Sequence, residues 1–167
     1  MRFTGAGESS RTASLGTPRR TPCMTKAREM LDASPSGVPL GVAEVAAAID
    51  ACLDCAQSCT SCANADLVED DVAEMRACIA LCVDCADVCA LVARILSRPA
   101  QSDHVVVHRL LRACVRECSL CAEECARHAE HHRHCAICAK ACRACEVACG
   151  ALLDAEAFEE LEKLAGG

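Results

Sequence analysis

Apolar positions recur at alternating steps of three and four residues along four long segments of the chain, and the residue at most of these positions is cysteine. Steps of three and four place side chains on one face of an α-helix and define the a and d positions of a heptad, which face the core of a helix bundle. Seventeen of the eighteen cysteines follow this pattern in four blocks. The blocks are Cys52, Cys55, Cys59 and Cys62; Cys78, Cys82, Cys85 and Cys89; Cys114, Cys118, Cys121 and Cys125; and Cys135, Cys138, Cys142, Cys145 and Cys149.

This periodicity predicts an all-α fold, an antiparallel up-down-up-down four-helix bundle with cysteine at the inward a and d positions. The four helices are expected over about 41–66, 69–97, 101–128 and 131–150. Pro99 breaks the chain between the second and third helices, Asp103 or Ser102 is a candidate N-cap for the third, and Gly150 is the expected end of the fourth. Because the connections are short, successive helices must run in opposite directions.

The segments that flank the bundle have a different composition. Residues 1–23 are rich in Gly, Ser, Thr, Pro and Arg and have no helical period, which is typical of a disordered tail. Residues 24–40 are expected to form a short helix and a linker, with the linker marked by the run SPSGVP. The bundle domain covers 41–150, and residues 151–167 are expected to form a short helix with Phe158, Leu161 and Leu164 on one face.

The two ends of the predicted bundle differ in the residues that continue the cysteine seam. One end is aliphatic and is called the plug below. The other end, called the mouth, is polar: Asp71 lies in the same register before the second block, and His132 and His134 lie beside the seam positions. The plug residues are Val45, Ala48, Val92, Leu96, Val107, Leu111 and Leu152, and the candidate ligands at the mouth are Asp66, Met75, His128, His131 and His132. His104 and His108 lie near the plug and are expected at the surface.

The composition supports a core with space in it. Residues classed as hydrophobic make up 53% of the chain, but it has no Trp or Tyr, and only Phe3 and Phe158 are aromatic. A protonated thiol is a small apolar group that buries little area, so the interior is best interpreted as a site to be filled. A net charge of −7 and the lack of aromatic residues that stack on bases argue against a nucleic-acid partner. No apolar run approaches the roughly 20 residues of a spanning helix, so no membrane partner is expected.

Three chemistries use clustered thiols. Disulfides within one helix would be strained, because Cβ atoms three or four residues apart are roughly 5–6 Å apart and a disulfide needs about 3.5–4.5 Å. Bridges between helices are geometrically allowed but need an oxidising compartment. Zinc and ferredoxin-type clusters use loop spacings that this chain lacks, although four helices can offer four sulfurs in one layer. A zinc or iron–sulfur thiolate protein, structural or electron-transferring, is therefore the alternative hypothesis.

Monovalent copper is the third chemistry. Cu(I) is a soft ion that selects thiolates. Two sulfurs on opposite sides of one ion lie roughly 4.5 Å apart if the zinc–thiolate bond length is used as a guide. Each thiolate can bridge two ions, so the seam would hold on the order of one ion per sulfur, which is a storage capacity. The sequence has no catalytic triad, phosphate loop or cofactor fingerprint, so no enzymatic activity is expected.

The four cysteine motifs also carry a resemblance to a known family. CLDCAQSCTSC, CIALCVDCADVC, CVRECSLCAEEC and CAICAKACRACEVAC, one on each predicted helix, resemble the copper storage protein (Csp) family over about residues 41–150. The resemblance implies a four-helix bundle that binds many Cu(I) ions in a cysteine-lined lumen and assembles as a homotetramer. It implies storage and detoxification of copper, with copper chaperones or copper enzymes as further partners. The exported branch of the family has a Met-rich opening, whereas this chain offers Met75 and histidines.

The location follows from the N-terminal sequence. Arg19 and Arg20 have the form of a twin-arginine signal, but the residues after them are charged within a few positions and form no apolar h-region. The expectation is therefore a cytoplasmic protein of the cytosolic branch, in which the thiols stay reduced.

Overall fold

The computed structural model describes residues 25–35, 37–38, 41–99 and 102–154. Within these ranges the regular structure is helical, which confirms the all-α prediction. The helices are α1 (Lys26–Asp32), α2 (Val42–Asp66), α3 (Arg76–Leu96), α4 (His104–His128) and α5 (Arg133–Leu153). None of these helices is long and apolar enough to cross a membrane.

The four long helices surround one core. Helix α2 packs against α3 and α5, α4 packs against α3 and α5, and α1 packs on the outside of α2. The sulfur contacts give the directions of neighbouring helices. Cys52, in the first half of α2, lies 3.5 Å from Cys149 near the end of α5. Cys62, near the end of α2, lies 3.9 Å from Cys135 near the start of α5. Helices α2 and α5 therefore run in opposite directions.

Local chemistry fixes the helix starts. The Asp103 side chain accepts a hydrogen bond from the Val106 backbone N–H at 3.0 Å, so Asp103 rather than Ser102 caps α4. The Thr25 hydroxyl caps α1 in the same way through the Arg28 N–H. Helix α1 occupies the position of the short helix expected before the bundle. The disordered tail expected over 1–23 and most of the helix expected over 151–167 fall outside the described residues.

Two predicted boundaries are wrong. Gly150 does not end α5, which continues to Leu153 with Asp154 as its C-cap, because Leu152 still packs in the core. Helix α3 was expected from residue 69 but begins at Arg76. Residues 67–75 instead form consecutive turns and are called the mouth loop below. Its acidic residues come before the first seam position of α3, so no apolar face holds this segment in a helix.

The seam residues beyond the cysteines fill the plug end as predicted. Aliphatic side chains there have little or no exposed surface and close that end of the bundle with hydrocarbon. They are Val45, Ala48, Val92, Leu96, Val107, Leu111 and Leu152, each 7% exposed or less. Helix α1 adds Leu31, also buried, beside this end of α2. The lumen between the plug and the mouth is lined by cysteine.

Candidate metal centre

All seventeen seam cysteines are buried, and all are free thiols. Their exposed fraction is 1% or less. Contacts within one helix, such as Cys55 Sγ to Cys59 Sγ at 3.8 Å, alternate with contacts across the bundle, such as Cys59 Sγ to Cys142 Sγ at 3.5 Å. The sulfur atoms thus form one continuous array along the bundle rather than separate pairs.

The array contains overlapping groups of four thiols whose sulfur atoms all lie within 4.8 Å of one another. The groups share members: Cys55, Cys59, Cys142 and Cys145 each belong to two of them. A shared thiolate can bridge two ions, so the arrangement favours metal clusters over isolated sites. Five of the groups are Cys52, Cys114, Cys145, Cys149; Cys55, Cys89, Cys118, Cys145; Cys55, Cys59, Cys85, Cys142; Cys59, Cys121, Cys138, Cys142; and Cys62, Cys78, Cys82, Cys125.

The sulfur spacing limits the coordination that the lumen can offer without movement. Contacts between neighbouring sulfur atoms run from 3.5 Å, as in Cys89–Cys118, to 4.0 Å, as in Cys138–Cys142. Two sulfurs on opposite sides of a metal lie about 4.5 Å apart, and three sulfurs around one ion lie about 4.0 Å apart, with the metal–sulfur length near 2.3 Å. Sulfur atoms of one group of four that are not in direct contact lie up to 4.8 Å apart, so the lumen offers both threefold and twofold sites with only small movements of the side chains.

Hydrogen bonds between thiols shift the pKa values of neighbouring sulfurs in opposite directions. The hydrogen bond between Cys121 and Cys125 lowers the pKa of Cys121 and raises the pKa of Cys125, while burial raises both. The hydrogen bond between Cys85 and Cys118 is the largest contribution that lowers the pKa of Cys85, to about 6. A thiolate forms at one sulfur because its neighbour keeps the proton, and a bound cation is needed before both can be charged in a dry core.

At the mouth, Asp66 and Met75 are fully buried. The Cys135 thiol donates to Asp66 Oδ1 at 3.5 Å, while Asp66 Oδ2 is buried and has no hydrogen-bond partner. Burial raises the pKa of Asp66, and thiol hydrogen bonds, the larger from Cys78, oppose that shift. A buried carboxylate oxygen without a partner is costly, so Asp66 is suited to accept a cation at the end of the thiol array.

His134 is the functional residue that the sequence pattern did not select. Its Nδ1 lies 3.5 Å from Cys62 Sγ, 3.4 Å from Cys135 Sγ and 3.5 Å from Asp66 Oδ1. Its Nε2 contacts Glu69 Oε1 of the mouth loop at 2.9 Å. The seam passes through Cys135 and not its neighbour, so heptad register gives no signal for His134. The only hint was its position one residue before a seam cysteine at the start of a helix.

The other predicted mouth histidines occupy different environments. His132 is half-buried and lies beside His134, with ring centroids 5.5 Å apart, and His128 is 6.5 Å from His132 by the same measure. His128 Nε2 contacts Glu124 Oε1 at 3.3 Å. His131 is exposed, so it lies farther from the thiols than its register predicted. His128, His132 and His134 therefore form a row of neighbouring rings that ends at Cys62 and Cys135.

At the opposite end, His104 and His108 begin α4 beside the plug. Both are half-buried. The aliphatic plug separates them from the sulfur array, which agrees with the expectation that they lie outside the metal site.

The fold and the lumen define a thiol-lined helix bundle built to hold soft metal ions in clusters. The family model for copper storage protein matches residues 42–154, and the chain belongs to the copper storage protein family. A comparison with curated proteins finds no match.

Solved structures of the same family are closely similar to this chain. Copper storage protein Ccsp from Streptomyces lividans, loaded with 10 copper equivalents, is 44% identical, with a TM-score of 0.74, over 76% of this chain and 97% of that one. A cytosolic copper storage protein from Streptomyces lividans with five coppers is 50% identical over 66% of this chain and 92% of that one, with a TM-score of 0.65. A Streptomyces lividans Ccsp mutant with two histidines replaced by alanine is 46% identical over 69% of this chain and 97% of that one, with a TM-score of 0.67.

Proposed function

We propose that this protein stores Cu(I) in the cytosol, as multinuclear thiolate clusters in its lumen, and so limits the toxicity of free copper. The observation that carries the proposal is the sulfur array itself, in which buried free thiols belong to overlapping groups of four. The resemblance to a cytosolic copper storage protein supports the location. The proposed lumen ligands are the seventeen seam cysteines, with Asp66, Met75, His128, His131 and His132 at the mouth.

The overlap of the groups also favours copper over zinc as the metal that the lumen binds. A structural zinc site uses four ligands of its own in a closed tetrahedron. Groups that share Cys55 or Cys142 cannot all be filled in that way at once. Cu(I) accepts two or three sulfurs and tolerates bridging thiolates, so the whole array can be used. An iron–sulfur protein would also use four cysteines of its own for each cluster, and groups that share Cys55 or Cys142 cannot all be filled in that way.

Competition between the two metals tests the proposal. Reduced protein, first equilibrated with excess Zn²⁺, is titrated anaerobically with Cu(I) while thiolate-to-copper charge transfer and released Zn²⁺ are measured. We expect copper to displace the zinc completely, since the soft thiolates prefer the softer ion. Retention of about four Zn²⁺ per chain, the number set by four thiolates for each ion, would instead support the zinc alternative.

We propose that copper is loaded at the mouth through the row of histidines. Inside a cell copper moves between donors by ligand exchange, and neutral imidazoles offer successive holding points. His128 lies beside His132, His132 lies beside His134, and His134 contacts Cys62 and Cys135. The plug closes the other end with aliphatic side chains, which offer no ligand.

Replacing both His128 and His132 with Ala is expected to slow loading from a Cu(I) chelator by about tenfold while leaving the final copper content nearly unchanged, because the lumen thiolates remain. Stopped-flow charge-transfer absorbance gives the rate and the end point. The control replaces His104 and His108, a second pair of histidines four residues apart, which lies at the start of α4 beside the plug. If loading became slower in the control variant and kept its native rate in the mouth variant, copper would be loaded from the opposite end.

We also propose the remaining partners. Copper chaperones would deliver copper or copper enzymes would receive it at the mouth, where the histidines reach the surface. A homotetramer is the assembly that the family implies. Apolar side chains on the outer faces of the helices, including Leu53, Val83, Leu91 and Ile137, are about half exposed and support burial against other subunits.

A further inference from the structure

The mouth carries a second set of metal ligands that differs from the lumen in chemistry. Glu69 of the mouth loop lies between two imidazoles: its Oε1 is 3.3 Å from His132 Nδ1 and 2.9 Å from His134 Nε2. The three atoms are two nitrogens and one carboxylate oxygen. Such a set suits borderline divalent ions rather than Cu(I).

We propose that Glu69, His132 and His134 form a binding site for a borderline divalent cation such as Zn²⁺, separate from the thiolate clusters. Ligands about 2.0–2.1 Å from a tetrahedral metal lie roughly 3.3 Å from one another. The two nitrogen–oxygen distances to Glu69 are close to that separation. A set of two histidines and one carboxylate leaves a coordination position for water or a further ligand.

The atoms behind the two imidazoles strengthen this assignment. His132 Nε2, the nitrogen that does not face Glu69, lies 3.2 Å from Asp71 Oδ2. His134 Nδ1 lies 3.5 Å from Oδ1 of the buried Asp66. Metal-binding histidines donate their other N–H to a carboxylate, which fixes the tautomer and the orientation of the ring. His132 has such a carboxylate in Asp71, and His134 Nδ1 faces Asp66 Oδ1 together with the sulfur atoms of Cys62 and Cys135 at 3.5 and 3.4 Å.

Burial and charge provide a further reason for a cation at this position. The His132 side chain is 12% exposed, and that of His134 is 24% exposed. Asp66 is fully buried, and its Oδ2 has no hydrogen-bond partner. A cation on His134 Nε2 would polarise the ring and make its Nδ1–H a stronger donor toward the buried side chains that it faces, Asp66 Oδ1 among them.

The site joins separate parts of the chain. Glu69 belongs to the mouth loop between α2 and α3, His132 is the N-cap of α5, and His134 lies in its first turn. A bound ion would tie the loop to α5 beside the proposed loading route. The site itself requires only the three ligands and does not depend on copper storage.

Cobalt is the probe that separates this site from the thiols. Full-length protein with Cys23→Ser, which removes the one cysteine outside the seam, is filled with Cu(I), and copper held outside the thiolates is removed with a mild chelator. Measured copper content shows separately whether the lumen has filled. Titration with Co²⁺ is then expected to give about one ion per chain, with d–d bands in the visible region and no sulfur-to-cobalt charge transfer, and Zn²⁺ is expected to displace it.

A matched pair of variants identifies the ligand. Glu69→Gln is expected to weaken Co²⁺ binding at least about tenfold. Asp70→Asn removes the same charge from the next residue, which is exposed, and is expected to leave the affinity unchanged. Three results would overturn the assignment: no saturable cobalt binding to copper-filled protein, sulfur-to-cobalt charge transfer in that protein, or equal losses in the two variants, which would indicate diffuse attraction to an acidic surface.

Discussion

Fully reduced protein is expected to bind more than about ten Cu(I) ions per chain, on the order of one for each lumen thiol. The reason is that the sulfur array is continuous, with neighbouring Sγ atoms 3.5–4.0 Å apart, and that its groups of four share members. A bridging thiolate serves two ions, so the number of ions is not limited to a quarter of the number of ligands. Anaerobic titration that follows the thiolate-to-copper absorbance to its end point measures this capacity.

Two variants relate the capacity to the lumen. Replacing the whole α4 block with serine, at Cys114, Cys118, Cys121 and Cys125, should lower the end point by roughly a quarter, since a hydroxyl is a poor ligand for a soft ion. Cys23→Ser, outside the seam, should leave it unchanged. An end point that did not respond to the α4 block, or that fell only with Cys23, would place the copper outside the bundle.

The core of this site could be predicted from sequence because helical periodicity alone determines which side chains face inward. Cysteine at successive three- and four-residue steps places each block on one face, and four such faces enclose a lumen whatever the details of the loops. All seventeen seam positions are buried. The aliphatic plug follows from the same register, since Leu111 and Leu152 continue the seam.

The mouth could be predicted only in part, because its geometry depends on segments that have no period. The register correctly placed Asp66 and Met75 at the end of the lumen, and both are buried. The register predicted that α3 begins at residue 69. The chain instead forms turns there, and Glu69 contacts His132 and His134. Contacts made by a nine-residue loop depend on tertiary packing, which local spacing does not encode. The sequence placed His134 beside the seam but did not select it as a ligand, because its contacts with Cys62 and Cys135 lie off the heptad register.

Copper-loaded protein is expected to melt more than about 10 °C above the reduced apo protein. A ligand that binds the folded state and not the loose chain adds its binding free energy to folding. For a chain of this size each 1 kcal/mol raises Tm by about 2–4 °C. Soft-metal clusters that contact all four long helices, such as one at Cys55, Cys89, Cys118 and Cys145, should add several kcal/mol. Calorimetry or circular dichroism under strictly reducing conditions measures the difference.

The stability of the apo protein determines how large this increase in Tm can be. Its lumen is filled with thiols, which bury less apolar area than the Leu or Ile of an ordinary bundle core, so hydrophobic burial stabilises it mainly at the plug. The Tm of the serine variant of the α4 block should rise less on copper loading than that of the native chain, whereas the Tm of Cys23→Ser should rise by as much. If loaded and apo samples melted together, the copper would be held on the surface or in the terminal segments, since only ions that join helices in the lumen can resist their separation.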